Sequence, residues 1–295
     1  MKFTLHGARL VDATIDQADG AITVEGARIQ SIGSAVGKRD HAVDATGMIV
    51  TPGFIDVHTH GGGGFNLHTA APDEIGAYAH WAPATGVTAF LIGVVGVPEG
   101  LPEQQLRAAV TAIAERDGGA EPLGIHLEGP YISIERRGAH MPSWLRRPDL
   151  AEADRVLSLA GGYLRLITVA PELPGADALI RQMVATGVRV SLGHTDATYE
   201  QALAAMELGV THTTHCCNAM RPLYHRDPGP IGALAQSPQV YGELIADGVH
   251  VHPAMMKILV RALGPQRTIV ITDALAAAGM GDTSFDFAGQ PAQVI

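Results

Sequence analysis

Eight short apolar runs, each separated from the next by a stretch of intervening chain, constrain this protein more than any other feature. The runs cover residues 49–58, 87–95, 124–128, 164–170, 188–194, 211–217, 242–247 and 268–273. Between them, residues 72–85, 102–116, 149–159, 176–186, 200–208 and 253–263 carry apolar side chains at helical spacing. Strands alternating with helices build a parallel sheet, and eight such units over ~250 residues close into a (β/α)8 barrel. A doubly wound open sheet competes, but it usually carries a glycine-rich phosphate loop after its first strand. Residues 61–64 are all glycine yet lack the G-x-G-x-x-G spacing into a helix, so the barrel is the expectation.

Before residue 49 the texture differs. Residues 2–11, 21–32 and 41–50 are β-rich and separated by turn residues such as Asp19-Gly20, which predicts a small antiparallel sheet. The fold class is therefore α/β: a TIM-type barrel over 49–279 with a small β-sandwich-like domain begun by residues 1–48.

Composition narrows the function classes. With 46% hydrophobic and 17% charged residues, the chain is not disordered, coiled-coil or collagen-like. Twenty Lys plus Arg against 30 Asp plus Glu give a net charge of −10. Such a surface argues against nucleic-acid and anionic-membrane partners, while leaving room for a local anion pocket. The only two cysteines, Cys216 and Cys217, are adjacent, so no disulfide framework exists. The N-terminus lacks a signal-peptide core, and the most apolar stretch, 87–97, falls well short of the ~20 residues of a membrane span. A cytoplasmic location is expected.

The ends of the predicted strands carry the chemistry-bearing residues, as the C-terminal ends of barrel strands do. Strand one ends Asp56-Val57-His58-Thr59-His60, where period-two alternation puts both imidazoles on one face. Strand three ends His126-Leu127-Glu128-Gly129-Pro130, leaving a carboxylate at the mouth that must find a cation or a hydrogen bond. A salt bridge to an arginine is the plain alternative for Glu128, and a packed core role for His126. Strands five and six end in His194 and His215, and strand eight in Asp273. Any one of these has an ordinary structural reading, a solvated histidine pair or a surface carboxylate. Together they point to a metal-dependent active site. His212 falls on the opposite face, His6, His41, His68 and His80 are given no role, and the two cysteines are expected to pack behind the site.

These strand ends resemble the amidohydrolase superfamily, and the connecting sequence resembles its N-acetylglucosamine-6-phosphate deacetylase family. The motifs are PGFIDVHTHG at 52–61, GIHLEGPYIS at 124–133, RRGAH at 136–140, LGHTDA at 192–197, NAMRPLYHRDPGPIGAL at 218–234, DGVHVHP at 247–253 and VITDALAAAG at 270–279. The resemblance implies that Glu128, His194 and His215 hold a principal divalent transition metal, zinc or iron, and that His58 and His60 support a second ion. It implies that Asp273 is the general acid–base. It places Ala139, His140, Asn218, Ala219, Arg226, Asp247 and His250 around a sugar-phosphate substrate. Strand four ends without a lysine, so a carbamylated-lysine bridge is not expected and Glu128 takes that place. Residues 88–98 depart from the polar strand-two end usual in the family and receive no role.

The implied activity is hydrolysis of the acetamide of N-acetylglucosamine 6-phosphate in amino-sugar catabolism, by a homodimer. The galactosamine isomer, another N-acyl amidohydrolase, and a catalytically weak substrate-binding remnant are the alternatives. The remnant arises because the sequence stops about a quarter short of a usual family member. Residues 280–295 then begin a truncated return to the small domain, and the last barrel helix is expected to be missing.

Overall fold

The computed structural model describes residues 1–34 and 41–294. Two compact units divide the chain, Met1–Phe54 and Ile55–Ile295. The first holds β1 (Lys2–Val11), β2 (Asp16–Glu25), β3 (Arg28–Ser34), β4 (Ala42–Asp44) and β5 (Ile49–Val50), in sheet order β3-β2-β1-β4 with β5 also on β1. The expected antiparallel sheet is mixed instead. β1 runs antiparallel to β2, but β4 and β5 lie parallel to β1 along successive stretches of its edge. Alternation in a sequence reports which face a side chain takes, not the direction of the strand it pairs with. The 21–32 run also splits in two, because Gly26 takes a positive φ of 61° and reverses the chain between Glu25 and Arg28.

The second unit begins with β6 (Phe54–Asp56), a short β7–β8 hairpin (Gly61–Gly62 and Phe65–Asn66) and α1 (Pro72–Trp81). Strand and helix then alternate: β9 (Val87–Val95), α2 (Glu103–Ala114), β10 (Glu121–Glu128), α3 (Leu150–Leu159), β11 (Leu164–Val169) and α4 (Ala176–Ala185). The series continues with β12 (Arg189–Leu192), α5 (Tyr199–Glu207), β13 (His212–Thr213), α6 (Gly229–Gln236), β14 (Tyr241–Ile245), α7 (Pro253–Leu263) and β15 (Thr268–Ile271). A final hairpin joins β16 (Thr283–Phe287) to β17 (Gln290–Val294).

Eight strands form one parallel, nearly closed barrel in the order β15-β14-β13-β12-β11-β10-β9-β6. The two end strands meet through bonds just beyond them: Asp273 N–H donates to the His58 carbonyl at 2.9 Å and His60 N–H to the Ala274 carbonyl at 2.8 Å. Beneath these, the Thr272 hydroxyl donates to the buried Asp56 carboxylate at 2.6 Å. Closure thus falls at the strand ends that carry His58, His60 and Asp273.

The predicted helices form, and their ends explain why. Asp149 caps α3 by accepting from Glu152 N–H, and Thr198 and Gln201 make a reciprocal capping box on α5. Ile75, Leu106, Val156, Leu179, Ile180 and Met183 are buried from the helix side against the barrel strands. Each such side chain contributes ~1.5–3 kcal/mol relative to exposure. Helix α6 was not among the expected helices, since its Gly-Pro-rich start mimics a loop; proline is tolerated there because the first helical turn has no partner for its N–H. Several expected strands are shorter than their apolar runs, two of them markedly. Ile49–Val50 pairs in the small sheet and leaves Phe54–Asp56 to the barrel, with Pro52 between them unable to donate. The 211–217 run keeps only His212–Thr213, because the chain turns at His215.

Among the described residues, no helix is long and apolar enough to cross a membrane.

Candidate active site

The barrel mouth collects imidazoles and carboxylates from five strand ends. Three of them sit in a backbone region that residues with a Cβ rarely adopt: His194 (φ 47°), His215 (φ 29°) and Asp273 (φ 50°). Such positions cost on the order of 1–3 kcal/mol each and persist where surrounding structure enforces them, which is common at functional sites. Close backbone approach supplies part of that enforcement. A Cβ on Gly93 of β9 would stand 2.2 Å from the Thr59 carbonyl, and one on Gly193 would stand 2.5 Å from Thr214 Cβ. The 88–98 segment, which received no role from its sequence, therefore has one in packing: its glycine lets the β6 end lie against β9.

Two clusters of potential ligands result. Glu128, His194 and His215 form one; His58, His60 and Asp273 form the other, and within each the ligand atoms lie within 4.8 Å of one another. In the first, Glu128 Oε1 is 3.0 Å from His194 Nε2 and 3.1 Å from His215 Nε2, and the two imidazole nitrogens are 3.0 Å apart. His194 Nδ1–H donates to the Arg136 carbonyl at 2.9 Å, so the neutral ring points a lone pair, not a proton, at Glu128. Burial, ahead of the neighbouring His215 and His140, pushes His194 down to about 4, so that ring is neutral near pH 7. Acceptor then faces acceptor at 3.0 Å. A cation between them resolves this arrangement, and nitrogens 2.0–2.1 Å from one ion at a tetrahedral angle stand ~3.3 Å apart. The residues present fit a divalent transition metal.

In the second cluster His58 Nε2 lies 3.3 Å from His60 Nε2 and 3.3 Å from Asp273 Oδ1. Behind it, His58 Nδ1–H donates to Glu243 Oε2 at 2.9 Å. Glu243 is fully buried on β14, and the same oxygen accepts from the His215 backbone N–H at 3.2 Å. Burial works against a charged imidazole here, yet Asp273, Glu128 and Glu243 raise His58 well above its ordinary value. His60 likewise, against burial, is raised to about 9 by its contacts with Asp273 and Glu128. Burial opposes ionisation of Glu128 and Asp273 as well, but His58 and the hydrogen-bonding imidazoles hold both carboxyls below their usual range. A field that stabilises positive charge this strongly suits a metal cation.

Above the clusters lies a cavity of about 270 Å³, lined by His60, Glu128, Ala139, His140, His194, His215, Asn218, Ala219, His250 and Asp273 among the predicted residues. Gly138, Ile245, Leu275 and Phe287 complete its wall. His58 lies fully buried behind it. Asp247 stands behind His250, accepting its Nδ1–H at 2.7 Å. Arg226 is exposed, off the lining, and its guanidinium has no partner among the described residues. His126 is buried and bonds Thr168 Oγ1 at 2.8 Å, beneath the ligands. Cys216 packs behind the site as expected, but Cys217 is exposed, because its positive φ of 75° turns it outward.

Two residues around the site, Glu243 and Phe287, lie outside the motifs of the sequence. Glu243 carried a signal, since a lone carboxylate within the apolar strand Tyr241–Ile245 must find a partner, as Glu128 does. Phe287 carried none, because it reaches the cavity only through the final hairpin.

The amidohydrolase family pattern matches residues 49–280. An N-acetylglucosamine-6-phosphate deacetylase from Vibrio furnissii is 39% identical over 275 residues, covering 91% of this chain and 68% of that protein. An N-acetylgalactosamine-6-phosphate deacetylase from Escherichia coli O157:H7 is 37% identical, covering 97% and 73% respectively. The solved structure of a Mycobacterium smegmatis N-acetyl-D-glucosamine-6-phosphate deacetylase mutant, in complex with N-acetyl-D-glucosamine 6-phosphate, superposes with a TM-score of 0.90 at 36% identity. That match covers all of this chain and 76% of the other. The chain thus spans between two thirds and about three quarters of the length of these relatives. It belongs to the amidohydrolase family, on the branch that holds the N-acetylhexosamine-phosphate deacetylases.

Proposed function

We propose that this chain hydrolyses the acetamide of N-acetylglucosamine 6-phosphate to glucosamine 6-phosphate and acetate. The observation that carries the reading is the facing of His194 and Glu128, two acceptors 3.0 Å apart, in a cavity that Asp273 also lines. Glu128, His194 and His215 would hold the metal, and His58 and His60 a second ion; the imidazole and carboxylate donors favour zinc or iron. When bound, such an ion supplies a Lewis acid that polarises the acetamide carbonyl and acidifies an attacking water.

The chain's own groups supply the rest. Asp273, its side chain 23% exposed toward the cavity, takes the proton of the attacking water and returns it to the leaving amine nitrogen. His250, held by the Asp247 carboxylate at 2.7 Å, lines the cavity as the hydrogen-bonding partner of the carbonyl oxygen as charge builds there. Asp196 ties the two substrate loops together, accepting from Arg136 Nε at 2.8 Å and Arg221 Nη2 at 3.0 Å. This clamp holds Ala139 and His140 in register with Asn218 and Ala219, so that binding of the distant sugar phosphate orients the scissile bond. Arg226, free on the adjoining loop, is the phosphate ligand in this reading. A cytoplasmic homodimer completes it, supported by the family resemblance and tested by sizing.

Acetate release by metal-loaded protein tests the activity, comparing the phosphorylated sugar with its unphosphorylated and galacto analogues. Preference for the phosphorylated gluco substrate supports it, preference for the galacto isomer reassigns the substrate, and full activity in rigorously metal-free protein overturns the mechanism. Arg226→Ala should narrow the preference for phosphorylated substrate by roughly 10–150-fold, the loss of one charged hydrogen bond to an anion.

A further inference from the structure

The final hairpin brings one side chain into the cavity that no motif announced. Phe287 and Gln290 pair across a two-residue turn, Ala288-Gly289, in which both residues take positive φ (51° and 83°), the hand that suits a tight hairpin. Asp286 accepts from Gly289 N–H at 2.7 Å and fixes the turn, and Gln290 donates to the Ala139 carbonyl at 3.2 Å. The hairpin is thereby tied to a loop that lines the site. Phe287 is 9% exposed and clusters with Val95 and Trp144. Its ring meets His60 edge-on at 5.5 Å and Trp144 at 6.3 Å, so it is held from two sides as a fixed wall.

The cavity wall is uneven in character. Ile245, Leu275 and Phe287 make an apolar arc on the side of β14, β15 and the hairpin, whereas Asn218, Ala219 and His140 come from the loops after β13 and β10. An N-acyl amino sugar is uneven in the same way, with an apolar acyl tail on one side of the scissile bond and a polar sugar phosphate on the other. With its amide over the ligands and its sugar toward Asn218, the substrate directs its acyl tail at the apolar arc. We propose that Phe287 sets the length of the acyl group this chain accepts, closing the arc behind a methyl group and excluding longer chains.

This inference rests on the functional reading above, and the test separates the two. Turnover is measured for N-acetyl, N-propionyl and N-butyryl hexosamine 6-phosphates in the metal-loaded protein and in Phe287→Ala. A fixed apolar wall distinguishes chains differing by one methylene by ~10–200-fold, so the native protein should prefer acetyl over propionyl by that order. In Phe287→Ala the kcat/KM ratio of acetyl to propionyl should fall by at least about tenfold, with butyryl gaining further. A merely structural role for the ring would lower all three rates and leave their ratios in place. If Phe287→Ala loses its fold or metal, Phe287→Leu keeps an apolar side chain against His60 and Trp144, and the same ratio must fall in it, by less. An active protein whose ratio is unmoved in the folded variant overturns the acyl-wall assignment alone. A native protein inactive on all three substrates overturns the functional reading with it.

Discussion

The Glu128–His194–His215 cluster draws its side chains from the ends of three different strands, β10, β12 and β13, whereas His58 and His60 share one strand end and meet Asp273 across the closure of the barrel. What stands behind them differs too. His194 is oriented by a neutral carbonyl, that of Arg136, while His58 is oriented by the buried carboxylate of Glu243. A carboxylate behind an imidazole makes it a stronger donor and fixes its tautomer more firmly than a carbonyl does. The first cluster is therefore built mainly by backbone geometry, with two candidate ligands at positive φ, and the second mainly by charge. Glu243 Oε2 touches both, through His58 Nδ1 and the His215 backbone, so the clusters share one brace.

That contrast can be broken most forcefully at the ligands. His194→Ala should lose bound metal and reduce deacetylation to the level of metal-free protein, while His60→Ala should retain the Glu128-cluster ion and measurable turnover. Metal content by elemental analysis beside kcat decides it; equal loss in both variants would make the two clusters one inseparable unit.

Asp273→Asn comes next. It should leave the Glu128 cluster loaded and substrate bound, yet cut kcat by ~10²–10⁴-fold, the usual loss when a general acid–base is removed. A change below about threefold would return Asp273 to an ordinary ligand of the second cluster.

Glu243→Gln tests the brace. Keeping the shape and removing the charge should weaken metal binding at the His58 cluster by ~10–100-fold, seen by titration, with less effect at the Glu128 cluster. Equal weakening at both would show that the carboxylate braces His215 as strongly as His58.

The smallest effect is expected at the barrel closure. Thr272→Val removes a donor from the buried Asp56 carboxylate and should lower unfolding stability by ~1.5–3 kcal/mol in a denaturant titration. Unchanged stability would show that the backbone bonds of His58 and His60 close the barrel by themselves.

Much of this was legible in the one-dimensional pattern. Alternation of apolar runs with helical periodicity depends only on near neighbours, and it identified the eight barrel strands and six of the seven α-helices among the described residues, missing the Gly-Pro-rich α6. The positions of the candidate ligands were legible because strand ends follow from strand runs, and the spacing of His58 and His60 already puts them on one face; their roles came from the family resemblance. Strand direction in the small sheet was not legible, since alternation is blind to it.

What the sequence by itself determined is the barrel, the residue types at its mouth and their division among strand ends, because each follows from periodicity and local chemistry. Only the tertiary structure decided that β6 and β15 close at those same ends, that Glu243 braces both clusters, and that Phe287 walls the cavity. Each of these joins residues distant along the chain, through backbone conformations and packing contacts whose energy exists only once the barrel has formed.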